Sequence, residues 1–168
     1  MPKALMLGLL LITGCQNYDV TINDTLVYGP ARLFVDFEVD DPALQDCLQQ
    51  QIADQRISAP LELEVLNCSN AGIRSLQGLG LFAALKQVKF SNNSIRNLVE
   101  LGQLSELRVV VLDNNDIVDP VPLDQLAQLQ TLELNGNAEL QCPGINQLVA
   151  ISALILPKHC AQKKSAAP

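Results

Sequence analysis

The sequence predicts a solenoid of the α/β class, and three observations carry that reading. A 22-residue period runs through residues 63 to 140 in four registers: "LEVLNCSNAGI" from Leu63, "LKQVKFSNNSI" from Leu85, "LRVVVLDNNDI" from Leu107 and "LQTLELNGNAEL" from Leu129. A fixed period in this range marks a stack of supersecondary units that bury a core only by packing on one another. The fourth and sixth positions of each register are apolar, the alternation of a short strand with one buried face. The composition fits an aliphatic repeat: 48% of the residues are hydrophobic, yet the chain has four Phe, two Tyr and no Trp. At 168 residues it is one domain's worth, large enough to bury about two thirds of its unfolded surface.

The shared form is L-x-x-L-x-L-x-x-N-x-I. On those columns the chain resembles leucine-rich-repeat proteins, and the unit length with the N-x-I ending is similar to the internalin type. The resemblance implies a solenoid of about four repeats with one strand per unit, the strands forming a parallel sheet on the concave side. Leu66, Val88, Val110 and Leu132, then Cys68, Phe90, Leu112 and Leu134, point inward by alternation. Asn93, Asn115 and Asn137 are expected to satisfy backbone groups where the chain leaves the strand. Repeat one carries Ala71 in that column, with Asn70 one position early. The second half of each unit repeats as Leu79, Leu101 and Leu123 and as Phe82, Leu104 and Leu126. Leu76 and Leu98 have Pro120 as counterpart, so a more extended return is expected in the third unit.

In chain order, residues 1 to 14 have a basic start at Lys3, an apolar segment too short to span hydrocarbon, and a small residue before Cys15, the layout of an export signal. Ile12-Thr13-Gly14-Cys15 resembles the lipobox of bacterial lipoproteins, which implies cleavage before Cys15 and a diacylglycerol on its thiol. Acyl chains hold at about 0.8 kcal/mol per buried CH₂. Gln16 stands where Asp would mark retention at the inner membrane, so the resemblance implies the outer membrane of a Gram-negative envelope, with the domain facing the periplasm or the exterior. Residues 15 to 19 are then a short tether.

Residues 20 to 62 are expected to cap the N-terminal end. Leu33, Val35, Phe37 and Val39 alternate beyond a Tyr-Gly-Pro turn, which predicts a hairpin. Asp41 and Pro42 begin a helix over 41 to 54 with Leu44, Cys47, Leu48 and Ile52 on one face. At the other end, residues 141 to 160 read as a C-terminal cap: a short helix ended by Pro157, with Ile145, Leu148 and Val149 covering repeat four. Residues 161 to 168 read as a disordered tail. An open solenoid needs both caps.

Four cysteines remain after Cys15, and four allow three connectivities. In a leucine-rich-repeat solenoid, strands about 4.8 Å apart place repeats one and four roughly 14 Å from each other, beyond the reach of a disulfide. The pairs are then Cys47 with Cys68 and Cys142 with Cys160, each worth about 3 kcal/mol by loop closure.

Formal net charge is −7, which argues against nucleic acid. Cleavage would remove Lys3 and leave ten basic against 18 acidic residues, a net −8. No phosphate loop, dinucleotide fingerprint or zinc spacing occurs. Asp36, Glu38 and Asp40 alternate as a solvated face would. "DNND" at 113 to 116 lacks the Gly and terminal Glu of a calcium loop and reads as the repeat's own turn. His159, the one histidine, has no nucleophile or orienting carboxylate placed beside it by the repeat. No enzyme, metal or cofactor is expected, the lipid on Cys15 apart.

What remains is the outward strand face, where Lys86, Lys89 and Arg108 form a basic island beside Val109 and Val111, with Glu133 next to it. The resemblance implies a recognition module, so these six residues are expected to bind a protein or peptide, acidic by complementarity, with the chain monomeric. The alternative is a passive envelope lipoprotein without a specific partner, in which Glu64 and Lys86 pair across strands as ordinary sheet stabilisation.

Overall fold

A computed structural model describes residues 20–22, 25–28, 32–142 and 151–163. Cys15, the signal and tether, and Ile145, Leu148 and Val149 lie outside the described residues. The chain divides between Arg32 and Leu33 into two compact units.

The first unit contains an antiparallel hairpin of β1 (Val20–Ile22) and β2 (Thr25–Tyr28). This corrects the sequence expectation, because both strands precede Gly29 and residues 33 to 39 form no strand. The hairpin also falls in a different unit from the cap helix. Ring packing explains the second segment better than alternation does. Phe34 and Phe37 stack at 5.5 Å, and each lies nearly perpendicular to the ring of buried Phe82, at 6.2 and 5.5 Å, while Val35 is 70% exposed. Such pairs add to the area they bury. Asp36, Glu38 and Asp40 are exposed.

In the second unit α1 (Pro42–Gln55) forms as its sequence dictates. Asp41 caps it through Oδ1, which accepts from the Ala43 and Leu44 amides at 2.9 and 3.4 Å, and Pro42 fills a first-turn position whose N–H would be free in any case. Oδ2 of the same carboxylate accepts from the Arg74 and Ser75 amides at 2.7 and 2.9 Å. One side chain thus starts the helix and ties it to the first repeat. Burial works against the charged form of Asp41, but the Arg74, Ser75, Ala43 and Leu44 amides outweigh it and hold the carboxyl below its ordinary value. The helix ends at Arg56 in the left-handed region (φ 57°), and its Leu44, Leu48 and Ile52 are buried. Cys47 is bonded to Cys68 with Cα atoms 5.8 Å apart.

Five strands then stack in parallel: β3 (Val65–Asn67), β4 (Gln87–Lys89), β5 (Val109–Val111), β6 (Thr131–Glu133) and β7 (Ala153–Ile155). Every pair is in register at the 22-residue period, Leu66 opposite Val88, Val88 opposite Val110, Val110 opposite Leu132 and Leu132 opposite Leu154. The inward columns of the first four strands are buried. Returns run through 3-10 turns at Leu79–Leu81 and Val121–Gln125 and through the one-turn α2 (Val99–Gly102). The third return is therefore a coil of five residues rather than an extended run, because Pro120 caps it and Pro122 sits in its first turn, where a missing N–H costs nothing. Gly102 of α2 is buried against this return, with no room for a side chain: a Cβ would stand 2.5 Å from the Pro122 carbonyl oxygen.

The asparagines form a ladder between units, half-buried at Asn93 and buried at Asn115 and Asn137. Asn93 Oδ1 accepts from the amides of Ala71, Gly72 and Ile73, and its Nδ2 donates to the carbonyls of Cys68 and Phe90. Asn115 receives the Ile95 amide and donates to Phe90 and Leu112; Asn137 receives Ile117 and donates to Leu112 and Leu134. Each carboxamide meets backbone of its own and the preceding unit. Ala71 is thereby explained, since no repeat precedes it. Asn70 is not a displaced ladder residue but belongs to a separate column, Asn70, Asn92, Asn114 and Gly136, with φ of 61°, 60°, 54° and 78°. Asn and Gly are the residues that tolerate this conformation.

The C-terminal end departs most from expectation. Residues 153 to 155, expected within a helical cap, are β7, paired through the Leu134 amide to the Ile155 carbonyl at 2.8 Å. Pro157 does not end a helix; α3 (Lys158–Lys163) begins after it and carries residues 161 to 163 of the expected tail. Cys160 of α3 is bonded to Cys142, Cα to Cα 5.2 Å. The signal is present in "ISALIL", where Ile151, Leu154 and Leu156 fall one period after Leu129, Leu132 and Leu134. His159 falls one period after Asn137.

Candidate binding face

The strand alternation that buries Leu66, Val88, Val110 and Leu132 turns their neighbours outward. Two columns result across the sheet: Val65, Gln87, Val109, Thr131 and Ala153, then Asn67, Lys89, Val111, Glu133 and Ile155. The fifth strand widens the face beyond what four repeats would offer and adds an apolar residue, Ile155, 47% exposed.

Of the six residues expected to bind a partner, Val109, Val111 and Glu133 are half-buried within the face, and Lys89 and Arg108 are exposed. Lys89, Val111 and Glu133 lie side by side in one row, with Arg108 directly before Val109 at the entry of β5. Lys86 is set apart from the other two cations. Its Nζ stands 2.6 Å from Glu64 Oε1, so the cross-strand pairing of ordinary sheet stabilisation is what it does. Among the described residues the other ion pair is Arg96 with Glu139 at 3.6 Å, which leaves Lys89 and Arg108 without a carboxylate.

At the exit of the strands the face is rimmed by Ser69, Ser91, Asp113 and Asn135. Asp113 Oδ1 accepts from the Asn135 amide at 2.8 Å, and Asn114 Nδ2 donates to Asn92 Oδ1 at 2.8 Å. "DNND" is thus consumed by turn geometry and the ladder. His159 sits at the far end of the solenoid, its Nε2–H donating to the Leu140 carbonyl at 3.0 Å, away from the strand face. In the third return, burial and then the neighbouring Asp119 charge push the Asp124 carboxyl up.

A parallel sheet in 22-residue register, an asparagine ladder and a helical N-terminal cap together define an α/β leucine-rich-repeat solenoid of internalin type. Among solved structures the chain is similar to an internalin, InlF, of Listeria monocytogenes, at 20% identity and a TM-score of 0.62 over 77% of this chain. Internalin C2 of the same organism aligns at 24% identity over 51% of this chain (TM-score 0.44), and the functional domain of InlJ at 14% over 67% (TM-score 0.39). The chain spans 39%, 38% and 35% of those three chains, respectively. No protein-family profile and no curated protein sequence matches it.

Proposed function

We propose that this chain is an envelope lipoprotein whose repeat domain binds a protein partner through the strand face, and that the partner presents an acidic peptide or loop. The observation that carries the reading is the pair of unneutralised cations, Lys89 and Arg108, flanking Val109 and Val111 on an acidic molecule. Carboxylates of the partner would meet the two cations while an aliphatic side chain covers the valines, and Glu133 sets the register by rejecting a second acid on its side. Lys86 contributes to the rim, with Glu64 as its resting partner. The domain acts as a monomeric binding module, without catalysis, cofactor or nucleic acid. Cys15 carries the acyl lipid that holds it at the outer membrane.

Photo-crosslinking in living cells tests the face, with the reactive residue at Val109 and, as control, at exposed Gln103. A shifted band at Val109 alone supports the proposal, and its mass spectrum names the partner. Lys89→Glu with Arg108→Glu should abolish the band, whereas Lys86→Glu should weaken it mildly; a band insensitive to the double reversal would overturn the role of the two cations, and no band would favour the passive structural reading. Metabolic labelling with an alkynyl fatty acid tests the anchor: label should appear on the chain and vanish in Cys15→Ser.

A further inference from the structure

Beyond the strand face, one cluster has a ligand chemistry of its own. Cys142, His159 and Cys160 each offer one ligand atom, and the three lie within 4.8 Å of one another. Among the described residues no other group of three His, Cys, Asp or Glu side chains is so placed. We propose that when the Cys142–Cys160 disulfide is reduced, these three residues bind Zn²⁺, so that a metal takes over the closure of the C-terminal end.

Geometry supports it first. Zinc holds thiolate sulfur at about 2.3 Å and imidazole nitrogen at about 2.0 Å in a tetrahedron, which separates its ligand atoms by roughly 3.3 to 3.8 Å. Breaking the sulfur–sulfur bond lets the two sulfurs move apart to that spacing, and a ring nitrogen of His159 lies within 4.8 Å of both. The tautomer of His159 supports it second. Nε2 is spent as a donor to the Leu140 carbonyl, so Nδ1 carries the lone pair, and a backbone carbonyl fixing the far nitrogen is the usual support for a metal-bound imidazole. Accessibility supports it third: Cys160 is buried, Cys142 is half-buried and His159 is exposed, which gives an ion an entry and leaves a fourth position for water.

Among the described residues Cys47 and Cys68 have no third His, Cys, Asp or Glu placed to join them. In the reaction, a dithiol reductant delivers two electrons and two protons to the disulfide, the sulfur–sulfur bond breaks to two thiols, and the reductant becomes a disulfide. Zinc binding then releases both thiol protons to solvent. The two thiolates and one imidazole suit a thiophilic cation over Mg²⁺ or Ca²⁺.

The test uses the full chain without a polyhistidine tag, carrying Cys15→Ser so that this thiol takes no part. After reduction with a phosphine and removal of the reductant under argon, Co²⁺ is titrated as a spectroscopic substitute, followed by Zn²⁺ against a chromophoric chelator. One equivalent of Co²⁺ should give a thiolate charge-transfer band and the visible bands of a tetrahedral ion, displaced by Zn²⁺. The unreduced chain should give neither. His159→Asn, at an exposed position outside the core, should weaken Zn²⁺ by at least about tenfold, and Cys142→Ser should remove the charge-transfer band. No stoichiometric Co²⁺ spectrum after reduction would overturn the proposal. A spectrum that survives Cys142→Ser, or an affinity unmoved in His159→Asn, would overturn it equally.

Discussion

At the N-terminal end of the repeats a foreign element, α1, lies over the first unit; at the C-terminal end the sheet gains one more strand, β7, before Pro157 and α3 stop the pattern. Both ends carry a disulfide closing a loop of similar length, separations of 21 and 18 residues, so loop closure alone would make them equal at about 3 kcal/mol. The apolar cover differs. Leu44, Leu48 and Ile52 of α1 are at most 1% exposed, whereas Ile151, Leu154 and Leu156 of the last unit are only half-buried. A helix crossing the stack seals its end; a truncated copy of the repeat moves the open end along by one unit and leaves part of it uncovered.

The largest expected effect comes from emptying each cover in turn. Leu48→Ala removes a fully buried side chain and should cost about 4 kcal/mol, within the usual range for such cavities. Leu154→Ala empties the corresponding position at the half-buried end and should cost under about 2 kcal/mol. Urea unfolding of both variants measures the difference; equal costs would mean that β7 is as well sealed as α1. Amide exchange should show the same order, with Ile155 exchanging sooner than Leu66, since local opening is easiest where few apolar contacts hold a strand.

Between the ends, the interior ladder sets the standard that each end replaces. Asn115→Ala would strip partners from the Ile95 amide and reduce those of the Phe90 and Leu112 carbonyls, all within the stack. Unmade buried hydrogen bonds cost about 1 to 3 kcal/mol each, so about 3 kcal/mol is expected in total, measurable by the same unfolding experiment.

Asp41 is the ladder's substitute at the N-terminal end, taking four amides with one carboxylate. Asp41→Ala should cost about 1 to 2 kcal/mol, the value of a lost helix cap. The pH dependence has a definite sign. The folded pKa of Asp41 lies below its ordinary value of 3.8, so its contribution is complete above that value and is lost as pH falls through the lower, folded one. Thermal melts between pH 5 and pH 2.5 should therefore fall more steeply for the native chain than for Asp41→Asn; parallel curves would place the acid sensitivity elsewhere.

The legibility of these regions in the sequence follows the same division. The repeat is readable because every column answers to an identical environment one period away, and α1 because its cap, proline and apolar spacing are local signals. Residues 33 to 39 mislead because their partner, Phe82, is far along the chain and ring packing overrides alternation. β7 is hidden because Pro157 and the nearby cysteines suggest a cap, although "ISALIL" keeps the period. For the strand face, alternation alone identifies the outward residues. Which cation is neutralised is not legible, since Glu64 and Lys86 meet only when β3 and β4 are in register.

The smallest expected effect is the sharpest test of why the ends differ from the interior. Ala71 stands in the ladder column, and Ala71→Asn restores the motif by sequence. In Asn93 the same carboxamide gains because three amides of the preceding unit need an acceptor. Ahead of residue 71 there is α1, whose interior amides are already bound within the helix. The Cys68 carbonyl that the introduced carboxamide would reach already accepts from Asn93. The new side chain therefore has no orphan to satisfy and, from a half-buried site, can turn its polar end to water. Stability should change by less than about 0.5 kcal/mol. A gain of about 1 kcal/mol or more, the net worth of a hydrogen bond, would mean that α1 leaves amides facing residue 71, so that the cap imitates a repeat more closely than its hydrogen bonds indicate.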